Sequence, residues 1–251
     1  MFLLTRNTID RIVQWFSEAE TIGASLLIDK EKNWTSFDVV AKLRRITKIR
    51  KIGHTGTLDP LATGLLIICL GKATKQISNF NDDSKTYQAI IKIGVTTKSY
   101  DGETAEENLN PIIHINAESI TDTILSFKGL YEQEPPMYSA KKIKGVPAYK
   151  FARKDEKVEL KNKLVEIRDI QIKSIELPFI SFNVVCSAGT YIRALARDIG
   201  EKLGCGAYLY ELRRTAVGDY KVEDALTIDE INNLFKENSL VNNDKSVQEF
   251  Q

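Results

Sequence analysis

Two spacings alternate along this chain, one of strands and one of helices. ASLLID (24–29) and LLIICL (65–70) are short apolar runs, the second bounded by Gly64 and Gly71, and both read as buried strands. Residues 85–95 alternate, placing Tyr87, Ala89, Ile91 and Ile93 on one face. Residues 163–177 and 179–186 predict a hairpin around Pro178, with Ile180, Phe182, Val184 and Cys186 sharing a face of its second arm. Helical spacing marks Ile9, Ile12, Val13, Trp15 and Phe16 near the start, and Ile120, Ile124 and Phe127 within 117–128. Thr35 or Ser36 is suited to cap a helix to about Ile46, with Phe37, Val40 and Leu43 facing the core and Lys42, Arg44 and Arg45 outward. Another helix is expected to start at Thr190, with a core stripe of Ile192, Leu195, Ala196, Ile199 and Leu203 and a stop at Gly204. Thr227 and Glu230 form a capping box for a last short helix, and the Asn-rich tail from about Lys236 is expected to fray. Hairpins mixed with helices predict an α+β fold, a mixed or antiparallel sheet with flanking helices.

Charge changes this picture locally rather than globally. The 251 residues carry a formal net charge of only +1, so no overall basic signature for nucleic acid exists. Yet 42–51 (KLRRITKIRK) holds six basic residues and no acid, whereas 219–251 holds eight acids and three basic residues. One local basic face is enough for RNA, because only charges near the phosphates act across a screening length of ~8 Å. Cys69, Cys186 and Cys205 lack C-x-x-C spacing and are expected to be buried free thiols in a reducing cytoplasm. With two histidines far apart, no zinc site is expected. No apolar run approaches the ~20 residues of a membrane span, and MFLLTRNTID does not resemble a signal peptide.

Residues 53–64, GHTGTLDPLATG, combine three glycines, a proline, three threonines, His54 and a single carboxylate, Asp59. Glycine and proline stiffen a turn in different ways. Asp59 is therefore expected on an ordered loop beside the basic block, a placement suited to chemistry on a polyanion. A plain turn and a solvated helix face account for the same residues.

The string itself goes further. GHTGTLDPLATGLLIICLGKATK closely resembles the catalytic motif of the TruB family of tRNA pseudouridine synthases. KTYQAIIKIGVTTKSYDGE (85–103), PPMYSAKKIKGVPAYKFAR (135–153) and SAGTYIRALARDIGEKLGCGAYLYELRRTAVG (187–218) match in the family's order, over about residues 23–235. The resemblance implies the pseudouridine synthase catalytic fold, in residues 23–235, between an N-terminal extension (1–22) and a polar tail (236–251). It implies conversion of the T-loop uridine of tRNA, position 55, into pseudouridine, without cofactor or metal. It implies that Asp59 is the nucleophile, that Arg193 contacts it, and that Tyr87 stacks on the flipped base and takes part in proton transfer. It makes Tyr191 a second stacking candidate, Leu212 a pocket-lining residue, and His54 a side chain that enters the T-loop. Lys75 matches a motif lysine near the RNA. Lys42, Arg45, Lys48, Lys141 and Lys142 are further candidates for phosphate contact.

Breaking a C–N glycosidic bond and re-forming it as C–C on the same uracil changes no oxidation state overall. A carboxylate can assist such a cleavage covalently, as in glycosidases. Arg193 lies where a helix dipole disfavours a cation, so the residues alone leave two readings, a surface arginine lying over the helix or a cation that answers a nearby anion, Asp59.

Two departures stand out. The turn DKEKNWTS puts Glu31 and Asn33 where the family has Pro and Gly, and Asn tolerates the left-handed conformation. The sixteen residues after Phe235 are too few for the small RNA-binding barrel that ends many bacterial members. The expectations are a monomeric cytoplasmic enzyme acting on the tRNA T-arm, without guide RNA or membrane. A tRNA-folding chaperone with the same fold is the alternative, and a guide-dependent subunit is disfavoured.

Overall fold

A computed structural model describes residues 2–80, 84–139, 142–143, 145–152, 154, 156, 158 and 160–237. The chain divides into two compact units, Met1–Asp83 with Arg213–Gln251, and Ser84–Leu212. The stretch 23–235 thus contains parts of both.

In the first unit, β1 (Phe2–Leu4) pairs parallel with β2 (Ala24–Lys30), and β2 antiparallel with β4 (Thr63–Leu70). β3 (Ile52–Thr55) also pairs with β4. The extension 1–22 is part of this unit: α1 (Ile12–Thr21) buries Trp15 completely, and the indole N–H donates to the Ser25 carbonyl at 2.9 Å. Arg6 forms a two-point ion pair with Glu230, and Asn7 donates to Asp224. Leu27, Leu65, Ile67, Phe80 and Val217 belong to this unit's core.

α2 (Ser36–Thr47) begins at Thr35, whose hydroxyl accepts from Asp38 N–H while the Asp38 carboxylate accepts from Thr35 N–H. Its buried face is Ser36, Val39, Val40, Leu43 and Thr47. Phe37, expected in the core, is instead 71% exposed. The helix is turned because Ser36, not Phe37, is drawn inward. Its hydroxyl donates to the Leu58 carbonyl and accepts from the Leu58 N–H.

In the second unit, β5 (Lys85–Ile93) pairs antiparallel with β8 (Phe179–Cys186). β8 pairs with β7 (Lys163–Glu176), and β7 with β6 (Gly129–Gln133). The expected hairpin and both predicted apolar faces are present, with Tyr87, Ala89, Ile91, Ile93, Ile180, Phe182, Val184 and Cys186 all buried. α3 (Ala117–Leu125) stops short of Phe127, which lies in the following turn. α4 (Ile192–Lys202) is capped by Tyr191, not started by Thr190, whose hydroxyl instead donates to the Ser187 carbonyl. Leu203, expected in the core stripe, caps the end of α4 half-buried, and Gly204 follows at φ 74°.

β9 (Ala207–Val217) passes from the second unit into the first, where Arg213 and Arg214 pair with Thr63 and Gly64. α5 (228–237) begins at the expected Thr227–Glu230 capping box. The tail beyond 237 lies outside the described residues. The three cysteines are buried and free.

Candidate active site

Asp59 is half-buried on the loop between β3 and β4. Two buried cations hold the loop on either side of it. Arg214, 1% exposed, donates to the Leu65 carbonyl at 2.7 Å and the Gly56 carbonyl at 3.2 Å. Lys30, also 1% exposed, donates to the carbonyls of Glu31, Trp34 and Pro60 at 2.9, 2.7 and 3.4 Å. Burial lowers the Lys30 pKa to about 8, and the attraction of Asp59 opposes that fall. Asn33 N–H donates to the Pro60 carbonyl at 2.8 Å, and Asn33 sits at φ 67°. The residue replacing the family's turn glycine thus adopts the left-handed conformation and ties its own turn to the loop.

Gly64 explains how β9 approaches so closely. It has φ 101°, and a Cβ there would lie 2.2 Å from the Arg214 carbonyl oxygen. Only glycine permits that approach. Rigidity at Asp59 therefore comes from the neighbouring backbone and two buried cations as much as from the loop's own composition.

His54 on β3 is half-buried, and its ring meets Phe37 edge-to-face at 5.8 Å. Burial, with a smaller contribution from Arg214, lowers its pKa, so the imidazole is neutral near pH 7. Of the basic residues, Arg45 and Lys48 are exposed and Lys42 is half-buried. Arg44 is engaged locally, donating to the carbonyls of Arg50 and Ile52. Lys75 is exposed on a 3-10 segment, Gly71–Phe80.

In the second unit, Arg193 is buried at the start of α4. It donates to the carbonyls of Ser99 and Tyr138 at 3.1 and 3.0 Å, and its Nε lies 3.5 Å from Asp101 Oδ2. Asp101 is itself held, accepting from Ser99 Oγ at 2.6 Å and Glu103 N–H at 3.0 Å. Asp101 thus lies beside this guanidinium, whereas Asp59, the partner that the resemblance implies, belongs to the first unit. No spacing in the sequence singles out Asp101, although it sits in the matching block at SYDG. The buried Gln133 side chain fixes Tyr191, accepting from its N–H at 2.8 Å and donating to its carbonyl at 3.1 Å. Tyr87 is buried on β5 opposite Val184, and Leu212 is half-buried on β9.

Asp59 and His54 belong to the first unit, and Tyr87, Tyr191, Arg193 and Leu212 to the second. Lys141 lies outside the described residues; Lys142 lies in a short strand, Lys142–Ile143. No described helix is long and apolar enough to cross a membrane.

A family model described as TruB family pseudouridylate synthase, N-terminal domain, matches residues 44–192. A second, the tRNA pseudouridylate synthase B C-terminal domain, matches 193–248. The chain is 45% identical over 222 residues to a protein of Parabacteroides distasonis named tRNA pseudouridine synthase B, covering 86% of this chain and 94% of the relative. A Phocaeicola vulgatus protein of the same name is 49% identical over 214 residues, covering 82% and 91%. Among solved structures, a chain of a Cbf5–Nop10–Gar1 complex superposes with a TM-score of 0.67 at 28% identity. That match covers 92% of this chain but 58% of the other.

Proposed function

Since this chain belongs to the TruB family of pseudouridylate synthases, we propose that it isomerises the T-loop uridine at position 55 of tRNA, directly and without a guide RNA. In this reaction the C1′–N1 bond of the nucleoside breaks and a C1′–C5 bond forms. C5 loses a proton and N1 gains one, so the product is an isomer of the substrate and no redox partner is needed.

We assign Asp59 as the nucleophile that assists cleavage and retains the intermediate while the uracil turns. The observation that carries this assignment is the clamping of its loop by Lys30 at Pro60 and by Arg214 at Gly56. Both are fixed contacts made before substrate arrives, and pre-orientation of a reacting group is worth several kcal/mol of barrier. Tyr87 is assigned to stacking on the extruded base and Arg193 to answering the catalytic carboxylate. Tyr191 and Leu212 are assigned to the pocket, and His54 to the loop from which the base has left, its neutral ring suited to filling an apolar gap. The exposed cations Arg45, Lys48 and Lys75, with Lys42, are assigned to phosphates, together with Lys141 and Lys142. The enzyme is proposed to act as a cytoplasmic monomer.

The test follows from the proton inventory. Unmodified tRNA carrying tritium at uracil C5 releases one tritium to water for each C1′–C5 bond formed. Position-resolved mapping then shows which uridine reacted. Stoichiometric release confined to position 55 is expected; no release, or release from other positions only, contradicts the proposal.

A further inference from the structure

Phe37 is 71% exposed on α2, one residue after Ser36, which is buried and hydrogen-bonded to the Leu58 backbone. Its ring is held edge-to-face by His54, at 5.8 Å and 88°. It heads an exposed stripe of α2 that continues through Ala41, Arg44 and Arg45, and exposed Lys48 follows as the left-handed residue, φ 60°, that ends the helix. Arg44 is engaged with backbone carbonyls, whereas Arg45 and Lys48 have no side-chain partner among the described residues. No acidic residue lies between Asp38 and Asp59.

We infer that Phe37 is a stacking platform for an unpaired base of the tRNA loop other than the target uridine, with Arg45 and Lys48 taking the adjoining phosphates. The inference rests on the reading of this chain as a tRNA-modifying enzyme. One large ring amid cations offers a protein partner little apolar area. It matches a splayed nucleotide well, because every base has a π-face and every nucleotide a phosphate. The Ser36–Leu58 clasp supplies rigidity, so little side-chain freedom remains to be lost on binding.

Binding of a labelled T-arm stem-loop to wild type, Phe37→Ala and Phe37→Trp, each at ~100 and ~300 mM salt, tests this. Loss of one base–aromatic stack predicts about 10-fold weaker binding by Phe37→Ala at both salts, within the ~1–3 kcal/mol span of such stacks. Phe37→Trp should restore affinity, and the salt slope should stay unchanged because every phosphate keeps its cation. Removing the stacked base, by an abasic nucleotide at one loop position, should abolish the difference between wild type and Phe37→Ala. Binding by Phe37→Ala within twofold of wild type overturns the inference. So does a penalty that persists whichever loop base is removed, or self-association of wild type that Phe37→Ala abolishes. Wild type that releases no tritium from tRNA overturns the assigned reaction instead, and the affinity ratio still decides the stacking.

Discussion

Arg193 Nε stands 3.5 Å from Asp101 Oδ2, and both side chains are almost wholly buried. The pair orients the guanidinium from one side, while the Ser99 and Tyr138 carbonyls fix it from the other. Removing one partner of a buried pair leaves the other uncompensated. Asp101→Asn keeps the shape and deletes the charge. It should slow single-turnover pseudouridylation by about 100-fold, the scale of an ångström-sized misplacement of a catalytic group. Affinity for tRNA should stay within several-fold of wild type. A rapid-quench rate at saturating enzyme checks this; an unchanged rate would remove Asp101 from the positioning of Arg193.

Lys30 gives a pH dependence with a definite sign. Its folded pKa, about 8, lies below the ordinary 10.5. Between those values the unfolded chain holds the proton more firmly than the folded one. Stability contributed by this group therefore rises as pH rises through about 8 to 10.5. Urea unfolding of wild type and Lys30→Met should show the difference shifting toward wild type across that window. A difference independent of pH would mean that Lys30 is not buried as its hydrogen bonds indicate.

Much of the fold is legible in the sequence. The alternation at 85–95, the hairpin at Pro178 and the Thr227–Glu230 capping box each announce local structure through local chemistry. The placement of Phe37 is not legible. Apolar identity favours 37, 40 and 43, whereas the helix buries 36, 39, 40, 43 and 47. What turns it is the bond between Ser36 and Leu58, a partner 22 residues away. Lys30 is hidden for a related reason: a lysine at a strand end ordinarily reaches water, and only the fold brings the Trp34 and Pro60 carbonyls to it. The motif around Asp59 stands out because its whole string carries the family's pattern. Asp101 lies within a matching block but has no spacing signal of its own.

The basic helix makes a separate claim. Lys42→Ala, Arg45→Ala and Lys48→Ala combined should weaken tRNA binding at ~100 mM salt and flatten its log–log salt slope by about 0.7–0.9 for each phosphate left without its cation. Arg44 is excluded from the set because its guanidinium holds the turn at Arg50 and Ile52. Single-turnover rate at saturating enzyme should change far less, since these groups position the backbone. Superimposable slopes for wild type and the triple variant would leave this helix as a solvated face.

The central claim is that Asp59 performs the bond-breaking chemistry on tRNA. Its most direct measurement is tritium release from C5-labelled, unmodified tRNA by Asp59→Asn, with tRNA affinity measured on the same preparation. The account predicts no detectable turnover and affinity within several-fold of wild type. Multiple turnover at a near-normal rate by the purified variant would contradict it.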